Sequence, residues 1–130
     1  MAKKTKPSRE EHWLDEPEEH DFPAAASFLA LLFSETAAAV IVDRLRQAAA
    51  SSYKAKDLLR AARLELLPRS DAEVGTDLKK VARGERLSPV LLVRAGAGAP
   101  LIVADGYHRI CASYHLDEDS AVPCRLVDSR

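Results

Sequence analysis

The fold of this chain is decided by the stretch Leu101-Ile102-Val103-Ala104-Asp105-Gly106-Tyr107-His108-Arg109-Ile110-Cys111-Ala112-Ser113-Tyr114. Its first residues form a short apolar run with β-branched side chains, which indicates a buried strand. Asp105-Gly106 interrupts the run with a pair typical of turns. After this pair the apolar residues recur at spacings of three and four, which is the periodicity of a helix. The stretch therefore predicts a strand, a glycine turn and a helix.

The predicted turn has the features of an anion-binding site. The first backbone N–H groups of a helix lack partners within the helix, and the helix dipole adds partial positive charge there. Gly106 lets a bound group approach the main chain, and the planar guanidinium of Arg109 suits phosphate. We therefore expect Gly106, Tyr107, His108 and Arg109 to contact a phosphate-bearing ligand. The alternative is that His108 and Arg109 are solvated, with His108 only paired to a carboxylate.

Two roles are open to Asp105. An Asp at the junction of a turn and a helix commonly caps the helix. The other role is catalytic, as a carboxylate that binds Mg²⁺ or acts as a base beside the phosphate. Both roles place Asp105 at the predicted anion site.

The segment Asp105-Gly106-Tyr107-His108-Arg109 resembles the signature of the ParB/sulfiredoxin superfamily. Leu87–Arg94 is similar to the strand before that signature, and Val122–Val127 is similar to the closing strand. The resemblance covers about residues 53–130 and implies a nucleotide-binding fold in which Gly106, His108 and Arg109 hold phosphates. Tyr107 stands where sulfiredoxin-type chemistry needs a cysteine, so that activity is not expected.

The Asp-Gly before His-Arg is most similar to the serine-kinase-like members of the superfamily. Their catalytic Glu follows the first strand, which implies Glu73 as the matching residue and Asp71 as the next candidate. The family fold also implies that Arg69 lies near the turn. A nucleoside triphosphate with Mg²⁺ is the cofactor that this resemblance implies. Phosphoryl transfer or phosphate-ester hydrolysis is then the expected reaction class, because that chemistry depends mainly on the placement of charge.

Composition limits the other functions open to the chain. Its 130 residues are 47% hydrophobic with a net charge of −1, which fits one domain and does not favour DNA as a partner. No apolar run approaches the roughly 20 residues of a membrane span. Cys111 and Cys124 lack metal-ligand spacing, so we expect buried free thiols, no metal site and a cytoplasmic location.

Three regions are expected along the chain. Residues 1–20 predict a flexible charged tail, in which Trp13 is a loosely packed surface residue or, alternatively, a docking point for a partner. Residues 21–52 predict a helical hairpin extension, with Asp21 capping its first helix. This hairpin either packs on its own β domain or forms a homodimer. Residues 53–130 predict the ParB/sulfiredoxin-like domain.

Within the last region we expect an α+β fold around a small mixed sheet. A helix is predicted over residues 53–62, a short strand over 64–67 and a helix over 72–83 that Gly84 ends. Strands are predicted over 90–93, in the run before Asp105 and over 122–127. The first hypothesis is a nucleotide- or phosphate-binding domain, and the residues leave turnover open. The second is a non-catalytic protein- or DNA-interaction module with the same fold.

Overall fold

A four-stranded mixed sheet forms the centre of the structure, a computed structural model that describes residues 12–130. The strand order is β1-β4-β2-β3. Strand β4 pairs antiparallel with β1 and parallel with β2, while β2 pairs antiparallel with β3. The expectation of an α+β fold with a small mixed sheet is therefore confirmed. The strands are β1 (Ala50–Lys54), β2 (Val90–Arg94), β3 (Ile102–Asp105) and β4 (Ala121–Asp128).

Helices cover both faces of this sheet. Two of them begin at a capping side chain: Ser34 accepts from the Ala37 N–H, and Asp71 accepts from the N–H groups of Glu73 and Val74. Among the described helices, none is long and apolar enough to cross a membrane. The helices are α1 (Asp21–Leu29), α2 (Glu35–Gln47), α3 (Ala55–Ala62), α4 (Ala72–Ala82) and α5 (Tyr107–Leu116).

The alternation of side chains along β2 divides the core into two clusters. Val90 and Leu92 pack with residues of α3, α4 and α5 on one face of the sheet. Leu91 and Val93 pack with residues of α1 and α2 on the other face. Because successive strand residues point to opposite faces, the four buried residues of β2 contribute to both clusters. The N-terminal hairpin therefore contributes a layer of the core of this domain.

One expected element begins later than predicted and another is missing. The helix expected over 53–62 begins only at Ala55, because Ser51, Ser52 and Tyr53 lie in β1 and pair with β4. This pairing joins segments about 70 residues apart, and local helical periodicity does not report it. The strand expected over 64–67 is missing, because Arg63 ends α3 in the left-handed conformation and no neighbouring strand pairs with the segment. The boundary expected after residue 52 consequently falls within β1.

Trp13 is not a loosely packed surface residue. Its side chain is only 2% exposed and belongs to the core cluster of α3, α4 and α5. The backbone on either side is fixed to the segment before β2, since Leu14 N–H donates to Leu87 and Leu87 N–H donates to His12. Residues 12–20 are thus attached to the sheet, contrary to the expected tail. The remainder of that tail, residues 1–11, lies outside the described residues.

We predict that Trp13→Ala lowers the free energy of unfolding by about 3–5 kcal/mol, because it removes a large buried side chain and leaves a cavity. The matched variant Leu31→Ala truncates a side chain that is 82% exposed, and we expect it to change stability by no more than about 0.5 kcal/mol. Urea unfolding followed by circular dichroism measures both. Equal effects of the two substitutions would contradict the buried position of Trp13.

Candidate functional site

A cleft of about 310 Å³ lies between α4 and the N-terminus of α5. The second wall of the cleft is the turn that follows β3. Four of the residues expected at the site on the basis of the motif meet here with Glu73, the residue implied by the family resemblance. The residues that line the cleft are Glu73, Thr76, Asp77 and Lys80 from α4 and Asp105, Gly106, His108 and Arg109 from the turn and α5.

Gly106 makes the turn between β3 and α5. Its φ is +113°, and a Cβ added there would overlap the side chain of Val90 and lie 2.9 Å from Nη2 of Arg109. Glycine is therefore required both by the backbone conformation and by the close packing. No side chain caps the N-terminus of α5. The first N–H groups of the helix therefore have no side-chain acceptor, and Gly106 at this end of the helix lines the cleft.

Arg109 connects two carboxylates. Its Nη2 lies 2.9 Å from Oδ2 of Asp105 and 3.5 Å from Oδ2 of Asp21. Asp21 also accepts a hydrogen bond from the hydroxyl of Ser88, which in turn accepts from the Glu18 N–H. The guanidinium is consequently fixed in one orientation at the edge of the cleft, with 17% of its side chain exposed.

Asp21 is a site residue that the sequence did not reveal. It was expected to cap α1, but His20 occupies the N-cap position and Asp21 is 3% exposed. Its carboxylate faces Arg109, 88 residues further along the chain. Sequence offers no signal for such a distant pair, because it depends on the packing of α1 against β3. Asp105 likewise bonds Arg109 rather than capping α5.

His108 is paired with a carboxylate of α4. Its Nδ1 lies 3.0 Å from Oε2 of Glu73, and its Nε2 lies 3.9 Å from Oδ2 of Asp71. Asp71 is already used as the cap of α4. A carboxylate that accepts from one imidazole nitrogen orients the ring and leaves the other nitrogen to exchange a proton. The two side chains that the motif and the resemblance single out therefore form a pair with acid–base capacity.

Two carboxyl groups in the cleft hold their protons more tightly than usual. Burial raises the pKa of Asp77 above its ordinary value of 3.8, although Arg109, Lys80 and His108 act in the opposite direction. Burial also raises the pKa of Asp105; Arg109 lowers it and Asp21 raises it. Carboxyl groups with shifted pKa values are typical of clefts that act as functional sites, because catalysis and binding need proton affinities that differ from those in water.

Two expected ligand-binding residues lie outside the cleft. The Tyr107 hydroxyl donates to the carbonyl of Glu65. Arg69 donates to the carbonyl of His115, near the C-terminal end of α5, rather than lying near the turn. Thr76, Asp77 and Lys80 take their place at the cleft and were not singled out from the sequence. Their spacing from Glu73, at three, four and seven residues, is the available signal, since it puts all four on one face of a helix.

The fold and the site together define the class of this protein. It is an α+β domain whose mixed sheet carries a polar cleft at the start of the helix after β3. Comparison of the chain with protein-family models, curated proteins and solved structures gives no match. Within residues 12–130, no three His, Cys, Asp or Glu side chains are grouped so that they could hold a metal ion.

We predict that Gly106→Ala destabilises the protein by about 2–4 kcal/mol, through left-handed backbone strain together with overlap with Val90 and Arg109. Gly98→Ala separates the two effects, because Gly98 also has a positive φ, +77°, but has open space at its Cβ position. We expect that control to cost about 1–2 kcal/mol. Thermal unfolding compares the variants, and equal losses would show that packing at Gly106 contributes nothing.

We predict that Asp77→Asn raises the melting temperature at pH 7. The pKa of Asp77 is higher in the folded state, so stability falls as pH rises from 3.8 through the folded-state pKa, and the uncharged amide avoids this loss. Below pH 3.8 the gain disappears, because the carboxyl is protonated in both states. Asn and Asp have similar helix propensities, which isolates the charge. A gain that does not vary with pH would contradict this explanation.

Proposed function

We propose that this protein binds a phosphate-bearing ligand, specifically a nucleotide, in the cleft between α4 and α5. The observation that carries the proposal is the uncapped N-terminus of α5, which borders the cleft beside Lys80 and Arg109. Backbone N–H groups and the positive end of the helix dipole favour an anion at this position. The two cationic side chains add charge on either side of it.

The carboxylates of the cleft favour a nucleotide bound with Mg²⁺ over free phosphate. Glu73, Asp77 and Asp105 line the same cavity, so a bare phosphate group would meet negative charge. Mg²⁺ is bound in proteins through one or two carboxylates together with substrate phosphates. A cation brought by the nucleotide thus suits a site that combines two cations with three carboxylates.

The Glu73–His108 pair is the proposed source of catalysis where the ligand is turned over. Glu73 lies 3.0 Å from Nδ1 of the imidazole, which leaves Nε2 to take a proton from an attacking hydroxyl or water. The guanidinium of Arg109, held by Asp21 and Asp105, would stabilise charge on the phosphoryl oxygens. The reaction class is phosphoryl transfer or phosphate-ester hydrolysis.

Membership of the ParB/sulfiredoxin superfamily and a cytoplasmic location belong to the same proposal. The superfamily assignment is supported by the motif Asp105–Arg109, which occupies a turn between a strand and a helix. The location is supported by Cys111 and Cys124, which are both free and buried, as is usual in reducing compartments.

One observation favours the alternative of a non-catalytic interaction module. Apolar side chains are exposed on α1, on α2 and on the turn between them, and such patches mark contact surfaces. Self-association through these helices would give a homodimer, whether or not the cleft binds a nucleotide. The exposed residues are Phe28 (42%), Leu31 (82%), Leu32 (54%) and Val40 (54%).

We predict that ATP, CTP or GTP with Mg²⁺ raises the melting temperature in a thermal-shift titration, and that chelation of Mg²⁺ weakens the effect at least tenfold. Lys80→Met should weaken nucleotide affinity about tenfold, since it removes a charge at the cleft. Lys79→Met is the matched control: it makes the same change at the neighbouring, exposed position of α4 and should leave affinity unchanged.

Three results would contradict the proposal. The first is the absence of any nucleotide response, and the second is an equal loss of affinity in both lysine variants. The third is a concentration-dependent dimer in sedimentation together with no nucleotide binding, which would favour the alternative module. Isothermal titration calorimetry on the full chain measures affinity, and phosphate release measures turnover.

A further inference from the structure

A second cavity, of about 360 Å³, lies beside β1 and β4. The candidate site lies at the end of β3, which is the opposite edge strand of the sheet. The second cavity is bounded by the edge strand β1, by β4 and by the segment that follows His12. None of its lining residues belongs to the cleft between α4 and α5. The lining residues are Trp13, Leu14, Asp15, Ala50, Ser51, Ser52, Pro123 and Arg125.

Arg125 is a buried cation in this cavity. It is 7% exposed, although it lies on a strand whose neighbouring residues are mostly apolar. No ion pair within residues 12–130 includes Arg125, so no carboxylate oxygen of these residues lies within 4.0 Å of its guanidinium nitrogens. A buried charge without an opposite charge is unfavourable, and proteins normally pair such groups.

The hydrogen-bonding capacity of Arg125 is only partly used. Nη2 donates to the carbonyl of Asp15 at 3.1 Å, and Nη1 donates to the carbonyl of Cys124 at 3.4 Å. A guanidinium has five N–H groups, so three are left for another acceptor. The indole Nε1–H of Trp13 is also buried and has no acceptor among the described residues. Arg125 and Trp13, which both line the cavity, thus each have N–H donors without a described acceptor.

We propose that this cavity binds a small oxyanion, a phosphate or a carboxylate, through Arg125. The guanidinium presents a planar set of donors that fits two oxygens of such a group. The volume suits a small molecule, since ligand cavities begin at about 300 Å³. None of the described residues places a negative charge beside Arg125, and the bound anion supplies it. The carboxylate of Asp15 does not pair with Arg125. Only the backbone carbonyl of Asp15 accepts a hydrogen bond from the guanidinium, and Asp15 itself is exposed.

Trp13 fluorescence tests the proposal, because Trp13 is the chain's single tryptophan and lines the cavity. Full-length protein is titrated with inorganic phosphate and, separately, with acetate, each against chloride at equal ionic strength. We expect a saturable change in emission for at least one of the two anions, and the arm that gives it identifies the oxyanion class. Arg125→Met should weaken the response at least tenfold.

Two control variants give the experiment its specificity. Arg60→Met removes an arginine whose side chain is 81% exposed and should leave the response within twofold of wild type. Lys80→Met alters the cleft in which we propose that a nucleotide binds, and it should also leave the Trp13 response unchanged. Loss of nucleotide binding at the cleft is therefore distinguishable from loss of anion binding at Arg125. Asp15→Asn should tighten binding severalfold, because it removes negative charge at the rim.

Stability provides a second readout. Without added anion, Arg125→Met should unfold at a urea concentration no lower than wild type, because an apolar side chain of similar length replaces an unpaired buried charge. Added anion should raise the urea midpoint of wild type alone. The proposal is overturned when neither anion gives a saturable response or when the response survives Arg125→Met. It is also overturned when added anion raises the urea midpoint of Arg125→Met as much as that of wild type, since Arg125 then takes no part in binding the anion.

Discussion

The ion pair between Arg109 and two carboxylates is the interaction on which the site depends. Asp105 comes from the end of β3, whereas Asp21 comes from the start of α1, so one guanidinium joins the turn to the N-terminal helical layer. Removing a partner from such a buried group leaves an uncompensated charge, which is strongly destabilising. The hairpin of α1 and α2 is therefore part of the site and not only a cover for the sheet. Gly106 permits this arrangement, because any side chain there would meet Arg109 and Val90.

Local sequence signals predict the centre of the fold well. The strand, turn and helix around Gly106 are recognisable because apolar periodicity and a glycine occur within fifteen residues. The errors at Ser51–Tyr53 and at Trp13 have a common cause. Strand β1 exists because β4 lies beside it, and Trp13 is buried because the segment before β2 receives it. Both depend on contacts between residues about 70 positions apart, which periodicity does not encode.

The same limit applies to the candidate site. Asp105, Gly106, His108 and Arg109 could be predicted because they share one turn, and Glu73 because of the family resemblance. Asp21 could not, since only the packing of α1 against β3 brings it to Arg109. Asp77 and Lys80 are an intermediate case: their spacing from Glu73 marks a common helix face, but the sequence does not say that this face meets the turn.

The cleft carries features that stability alone does not explain. Burial raises the pKa of Asp77 and Asp105, so each carboxyl ionises less readily in the folded protein than in the unfolded chain. The buried Nε–H of Arg109 has no acceptor among the described residues, which adds a further cost. An apolar cluster of similar volume would avoid these costs. Elsewhere along α4, polar groups are either exposed or satisfied by capping, as at Asp71. Asp77, Asp105 and Arg109 all line the cleft beside the N-terminus of α5, where a charged ligand would also meet the positive end of the helix dipole.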